Sequence, residues 1–434
     1  MWALEHATPT DNAGPAISGV PLQLNPVPTS QSGAVLARAA PRVALYSHDT
    51  MGLGHMRRNL LIAAALRHTE LRPDLLLITG AITAGAFAVP PGVDCLTLPS
   101  LRKKSDGHYQ ARRLNLPLRE IVALRAQIMR ATLRAFAPDV LIVDNVPRGA
   151  ARELDSVLAY IRREAGTRCV LGLRDVLDEP GAVHREWQRA RNAAAINDYY
   201  DSVWVYGDPT VYDLVSEYGF PDKVAHKVQF TGYLDPRTRA AASPHETTQM
   251  REALALPRGK IVVCLVGGGE DGARLADAFT ATVLPDDTTG VLVTGPYMPM
   301  ETQLRLRRRC SANPQLRVLD FLPEPAALLS AADRVIAMGG YNTICEILAF
   351  GKHALIVPRV TPRREQWVRA ERLRQLGMLD VLHPDKVQPQ RLSAWLRKDL
   401  ATGPTRSIDL NGLSRVECLL GELLAAQKAA EPVA

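Results

Sequence analysis

Short apolar runs, most of them separated by helix-patterned stretches, constrain this chain more than any other feature. They are RVALYSH (42–48), DLLLITG (74–80), VDCLTLP (93–99), PDVLIVDN (138–145), RCVLGLRD (168–175) and DSVWVYGD (201–208). Near-continuous apolar strands alternating with helices imply a parallel sheet covered on both faces. The rhythm weakens around 230–258, where FTGYLDPRTRAAASPHETT is rich in turn and polar residues and reads as an inter-domain linker. It then restarts with KIVVCLVGGGEDG (260–272), GVLVTGP (290–296), LRVLDF (316–321), DRVIAMGG (333–340) and HALIVP (353–358). The fold class read from this pattern is α/β, with two Rossmann-like, doubly wound domains facing a cleft. The expected divisions are a first domain over 41–235, a second over 255–405 and a closing helix within 406–434. Residues 1–40 are rich in Pro, Ala, Ser and Asn without periodicity and read as a disordered tail.

Composition narrows the function classes. With 47% hydrophobic and 22% charged residues over 434 positions, the chain can bury a core and is not a disordered polymer. A formal charge of +7 is mild for this length, and no nucleic-acid partner is expected from it. The six cysteines are scattered without a C-x-x-C pair, which argues against a disulfide framework or zinc ribbon and for a reducing compartment. The longest uncharged stretch, Leu75 to Val93, is broken by Gly80, Gly85, Pro90, Pro91 and Gly92. It reads as a strand and short helix rather than a membrane span. No basic segment followed by an apolar one opens the chain, so no signal peptide is expected and a cytoplasmic location is.

Three loops carry the candidate chemistry. Gly52-Leu53-Gly54-His55 lies between the first strand and its helix. Glycines there let backbone approach a ligand, the helix N-terminus favours an anion, and His55 could serve as a general base. The alternative is a tight turn with a histidine on its rim. Arg57 stands where a G-x-G-x-x-G fingerprint has its third glycine, so this is not a dinucleotide motif. The second loop, Gly267-Gly268-Gly269-Glu270-Asp271-Gly272, suits phosphate approach but lacks the G-K-[ST] of a P-loop. In the third, Gly339-Gly340 ends a strand, Asn342 and Thr343 could cap the next helix, and Glu346 lies three residues past Thr343. Thr343 and Glu346 fit either a nucleotide site, with the carboxylate on ribose hydroxyls, or a ligand-free capping box.

Two further features stand at the strand ends and on the surface. Asp144-Asn145 and Arg174-Asp175 close strands where open α/β sheets bind ligands. Asp144 is a second candidate base, or else a satisfied strand-end carboxylate. From Arg102 to Arg134 nine Lys and Arg residues face only Asp106 and Glu120. That is a solvated helix face, or a patch for an anionic acceptor or a membrane surface.

The segment 337–377 resembles the C-terminal donor-binding domain of GT-B glycosyltransferases, glycosyltransferase family 28. Within that family it is most similar to the peptidoglycan N-acetylglucosaminyltransferase type that forms lipid II. The matching positions are Gly340, Thr343, Glu346, Gly351-Lys352-His353-Ala354, Pro358, Arg363-Arg364-Glu365-Gln366 and Arg369-Ala370, with Asp320-Phe321-Leu322-Pro323 resembling the base-binding loop. Gly52-x-Gly54-His55 resembles the family's glycine loop with its catalytic histidine. The resemblance implies that Glu346 holds ribose hydroxyls and that Gly268, Gly269, Gly339, Gly340, Asn342 and Thr343 meet the phosphates. Backbone at Phe321 and Leu322 would read the base, Glu365 and Gln366 would contact the donor sugar, and His55 would act on the acceptor hydroxyl. Arg363, Glu365 and His353 depart from the family's acidic residue, first Gln and Pro.

The resulting expectation is metal-independent transfer of a hexosyl or N-acetylhexosaminyl group from a nucleotide sugar. The nucleotide sugar is a substrate, so no cofactor is expected, and no D-x-D pair stands near a strand end. The acceptor would be anionic or lipid-linked, with peripheral membrane contact. The alternatives are a nucleotide-sugar epimerase or hydrolase on the same fold, and a non-catalytic polyanion-binding protein.

Overall fold

The structure is a computed structural model that describes residues 40–49, 54–81, 87–103, 108–238, 244–269, 271–322, 324–399 and 407–430. The expected tail lies, but for residue 40, outside the described residues. Residues 40–434 belong to one compact unit.

The first sheet contains β1 (Arg42–Ser47), β2 (Asp74–Thr79) and β3 (Val93–Thr97). After a small antiparallel hairpin, β4 (Leu101–Lys103) and β5 (Tyr109–Ala111), it continues with β6 (Val140–Asp144), β7 (Arg168–Arg174), β8 (Ser202–Tyr206) and β9 (Val228–Phe230). Its order is β3-β2-β1-β6-β7-β8-β9, parallel throughout. The second sheet contains β10 (Lys260–Leu265), β11 (Thr288–Val293), β12 (Leu316–Leu319), β13 (Arg334–Ala337), β14 (His353–Ile356) and β15 (Asp380–Val381). These are also parallel, in the order β12-β11-β10-β13-β14-β15. Every run read as a strand from sequence is one. β4, β5, β9 and β15 were not foreseen; each is only two or three residues long, too short to show a period.

Burial explains the apolar runs. All five residues of β6 and of β8 are buried, as is β11 along its whole length, because helices cover both faces. The linker region is more structured than its composition suggests. It holds the turn Pro236–Thr238 and the helix Pro244–Ala253. The closing helix runs Gly412–Ala430, inside the expected 406–434.

That helix returns to the first lobe. The chain leading into it pairs with the end of the first lobe: Tyr233 N–H donates to the Asp409 carbonyl at 2.8 Å, and Gly412 N–H to the Tyr233 carbonyl at 3.1 Å. Its Leu413, Val416, Leu419 and Leu420 join Leu60, Ile62 and Leu66 of the helix Gly54–Arg67 in one cluster, which also takes in Val263 and Ile356 of the second sheet. A fully buried Leu or Ile contributes about 1.5–3 kcal/mol, so this strap holds the lobes together.

In each sheet the strand order reverses once, between β1 and β6 in the first and between β10 and β13 in the second. Ligands of open α/β sheets bind at such switch points, outside the carboxyl ends of the strands. The described parts of the three glycine loops, Gly54-His55, Gly267-Gly268-Gly269 and Gly339-Gly340, fall there. No helix among the described residues is long and apolar enough to cross a membrane, and all six cysteines are free.

Candidate functional site

At the first switch point, the helix Gly54–Arg67 starts just past β1 and Asp144 ends the neighbouring β6. Asp49 links the end of β1 to the helix and to β2: it accepts from Met56 N–H at 3.0 Å, from Thr79 Oγ1 at 2.6 Å and from Ser47 Oγ. His55 and Arg58, one turn apart on the helix, both reach Asp144. His55 Nδ1 lies 2.5 Å from Asp144 Oδ2, and Arg58 donates through Nε to Oδ1 at 2.8 Å and through Nη2 to Oδ2 at 2.6 Å. Burial alone would raise the Asp144 carboxyl, but Arg58 and His55 hold it well below the usual carboxylate range. Arg58 Nη2 also lies 3.0 Å from His55 Nδ1. An ionised carboxylate can only accept, so Nδ1 carries the hydrogen and the Nε2 lone pair is left for other chemistry. The His55 side chain is 19% exposed and that of Asp144 0%. The histidine therefore presents an edge to the cleft, and Asp144 sits behind it as a buried strand-end carboxylate. Gly52 lies outside the described residues. Gly54 begins the helix, and its carbonyl accepts from Asn342 Nδ2 of the other lobe at 3.0 Å.

At the second switch point a cavity of about 560 Å³, open to solvent, is lined by Gly267, Gly268 and Gly269 on one side and by Gly339, Gly340 and Thr343 on the other. Three of these glycines are required by the backbone. Gly267 has φ +63° and Gly339 φ +76°, while Gly269 has φ +93° and a Cβ there would lie 2.2 Å from the Thr294 carbonyl oxygen. The next helix, Tyr341–Ala349, has Gly340 as its N-cap and no side-chain cap. Asn342 and Thr343 do not cap it, contrary to expectation, and Glu346 lies in its interior, so the Thr-x-x-Glu spacing is not a capping box. The first-turn amides are thereby left open for an anion.

Arg359 borders the same cavity and organises the sugar-side candidates. It donates to Glu365 Oε1 at 2.6 Å and to Asp271 Oδ2 at 3.2 Å, while its backbone N–H donates to Gln366 Oε1 at 2.9 Å. Burial would raise Glu365, but Arg174 and Arg359 bring it below its ordinary value. Its Oε2 is buried without a hydrogen-bond partner. Arg174, at the end of β7, is pushed down to about 10 by burial; Glu365 opposes that shift, and the neighbouring Arg369, Arg58 and Arg363 add to it.

Glu346 and Asn342 line an adjoining cavity, together with Arg57 and Glu324. Arg57 Nη2 donates to Glu346 Oε1 at 2.7 Å. Phe321 and Leu322 line neither cavity; the Phe321 ring meets Phe87 of the first lobe edge-on at 6.0 Å. Glu270 and Pro323 lie outside the described residues. The structure thus gathers Gly268, Gly269, Gly339, Gly340, Thr343 and Gln366 around one cavity, with Glu365 behind Arg359. It puts Asn342 and Glu346 next door and His55 with Asp144 on the facing lobe.

Sequence reasoning named Arg57, Arg174 and Arg369 but gave them no partner, and it passed over Arg58 and Arg359. Arg369 is fully buried and grips Asp175 of the first lobe, Nε to Oδ2 at 2.8 Å and Nη2 to Oδ1 at 2.6 Å, while Tyr233 Oη donates to the same carboxylate at 2.9 Å. The His55-x-x-Arg58 spacing was the one signal that could have found Arg58. In the basic segment, Arg102, Arg112, Arg113, Arg119, Arg130 and Arg134 are exposed, as are Leu114 and Leu116. Arg125 is instead fully buried against Glu153, so it is not part of a surface patch. Among the described residues no group of three or more His, Cys, Asp or Glu side chains could hold a metal ion.

Two parallel sheets with facing switch points define the GT-B architecture. Solved structures of that shape include the glycotransferase of kitacinnamycin, at 19% identity and TM-score 0.53 over 91% of this chain and 98% of that one. They also include the UDP-GlcNAc 2-epimerase of Neisseria meningitidis bound to UDP-GlcNAc, at 13% identity and TM-score 0.54 over 89% and 100%. Residues 263–407 match the model of the glycosyltransferase family 28 C-terminal domain. The chain is also similar to the UDP-N-acetylglucosamine–N-acetylmuramyl-(pentapeptide) pyrophosphoryl-undecaprenol N-acetylglucosamine transferase of Cronobacter sakazakii, 31% identical over 179 residues. That match covers 39% of this chain and 48% of the relative, so the chain spans about half the length of this curated relative.

Proposed function

We propose that this protein is a glycosyltransferase that moves a hexosyl or N-acetylhexosaminyl group from a uridine diphosphate sugar to an acceptor hydroxyl. The observation that carries the reading is the pairing across the cleft. An uncapped helix N-terminus and two glycine loops form one wall. A histidine held by a buried carboxylate stands at the switch point of the other lobe.

In this reading the diphosphate lies against the Gly268-Gly269 and Gly339-Gly340 loops, Glu346 takes the ribose, and Glu365 and Gln366 face the sugar. His55 Nε2 accepts the proton of the acceptor hydroxyl as its oxygen attacks the anomeric carbon and the bond to the diphosphate breaks. The first-turn amides of Tyr341–Ala349 receive the charge leaving on the diphosphate, at no cost in reorganisation. No divalent ion is assigned to this step. The domain division that goes with it is an acceptor lobe over 41–235 and a donor lobe over 255–405.

The similar Cronobacter enzyme is named for a pyrophosphoryl-undecaprenol acceptor. A lipid-linked or anionic acceptor suits the exposed arginines near Leu114 and Leu116, each contributing about 1 kcal/mol beside acidic lipid. The protein would then work at the inner face of a membrane. A second reading, epimerisation or hydrolysis of the donor alone, is favoured by the UDP-GlcNAc 2-epimerases that share the shape.

Incubation with isotope-labelled UDP-sugars, with and without lipid-linked acceptors, tests both. Label transferred to an acceptor supports the proposal, with His55→Ala slowing transfer about 10²–10⁴-fold while UDP affinity stays unchanged. Donor turnover without any acceptor favours the second reading. Binding only to polyanions, with a steep salt dependence, contradicts both.

A further inference from the structure

We propose that Arg57 is a positioning residue for the nucleotide: from the first lobe it orients the Glu346 carboxylate so that Oε2 receives a ribose hydroxyl. This rests on the donor site proposed above and adds a residue of the opposite lobe to it.

Three observations carry the inference. The pair is one-sided, since Arg57 Nη2 reaches Oε1 at 2.7 Å while Oε2 is buried without a hydrogen-bond partner. A buried carboxylate oxygen that accepts nothing is costly, and a donor brought by a ligand relieves it. Glu346 is 2% exposed and lines a cavity of about 410 Å³, open to solvent, next to the glycine loops, so a hydroxyl has room to arrive. Finally, Arg57 does not act alone in joining the lobes at this point. Asn342 Nδ2, one turn before Glu346, donates to the Gly54 carbonyl at 3.0 Å. The Arg58 guanidinium also lies over the Tyr341 ring, 5.3 Å from its centroid. The helix that carries His55 therefore touches the helix that carries Glu346 in three places, so nucleotide recognition and the approach of His55 are mechanically joined.

The electrostatics give a signature that a purely structural contact lacks. Burial raises the Glu346 carboxyl, Arg57 opposes that, and Glu324 from the segment before Ala326–Ala331 reinforces it. Cys345 and Tyr341, on its own helix, are the other titratable groups lining its cavity. With Arg57 removed, burial and the Glu324 charge act unopposed, so Glu346 takes up a proton at higher pH.

The test is calorimetric titration of the full chain with UDP and with 2′,3′-dideoxy-UDP, between pH 5 and 8. Wild type should prefer UDP to the dideoxy analogue. Arg57→Met should weaken UDP tenfold or more at pH 7 and largely erase that preference. Its UDP affinity should begin to fall at a higher pH than wild type as the solution is acidified. Arg57→Lys should restore most of the affinity and the wild-type pH profile. Adding Arg57→Met to Glu346→Gln should cause no further loss. The inference is overturned if Arg57→Met leaves UDP affinity unchanged, tightens it, or weakens UDP and the analogue equally. If wild type binds UDP but Glu346→Gln binds it as well as wild type, the ribose assignment itself fails. Absence of any UDP binding to wild type removes the donor site and this inference with it.

Discussion

Asp144 is fully buried and has three claims on it, from two nitrogens of Arg58 and one of His55. Replacing it by Asn leaves the Arg58 guanidinium buried without a counter-charge. Removing one partner of a buried pair costs about 3–5 kcal/mol, and chemical denaturation at pH 7 should show that loss. Because the folded carboxyl lies below its ordinary value, its stabilisation is complete above about pH 4 and drains away as the pH falls further. The gap between wild type and Asp144→Asn should therefore narrow below that pH. His55 was legible from its place after a glycine loop. The residue that fixes its tautomer was legible only as a strand-end carboxylate, because the pairing spans 89 positions. Arg57 and Glu346 are separated by 289, and no local pattern announces such a pair.

Two neighbouring loops of the second sheet respond differently to a single methyl group. Gly269→Ala forces a Cβ against the Thr294 carbonyl in a left-handed backbone, and should destabilise the protein by at least about 1–3 kcal/mol. Gly340→Ala meets nothing within 4 Å and keeps an ordinary φ of −59°, so thermal stability should hardly change. Its methyl does intrude where a diphosphate would sit, and UDP affinity should fall. A thermal melt and a UDP titration on each variant check both outcomes, and unchanged UDP binding by Gly340→Ala would move the phosphates elsewhere. The long strands were legible because burial on both faces leaves an apolar run with no polar interruption. The edge strands β9 and β15 lack that imprint. The cap of Tyr341–Ala349 was misread because Asn and Thr favour N-caps in general, whereas here Gly340 takes that place and the first turn stays open.

Across the whole molecule, the lobes are joined by a strap and by buried charge. Arg369 and Asp175 lie 194 residues apart and are both essentially inaccessible. Arg369→Met should cost about 3–5 kcal/mol by leaving Asp175 unpaired, and should increase amide exchange at the ends of β7 and β8 more than in β11. Equal protection in variant and wild type would mean that the pair does not hold the lobes together. The two-sheet architecture was legible from the interrupted rhythm of strands. The closure was not, since it depends on side chains from opposite ends of the chain and on a last helix that packs on the first. The central claim is that the switch point of the second sheet holds a nucleotide diphosphate facing His55. A co-crystal with UDP-N-acetylglucosamine tests it most directly. The account predicts the diphosphate against Gly268, Gly269 and the amides that follow Gly340, with the ribose at Glu346. A nucleotide bound anywhere outside that crevice would contradict it.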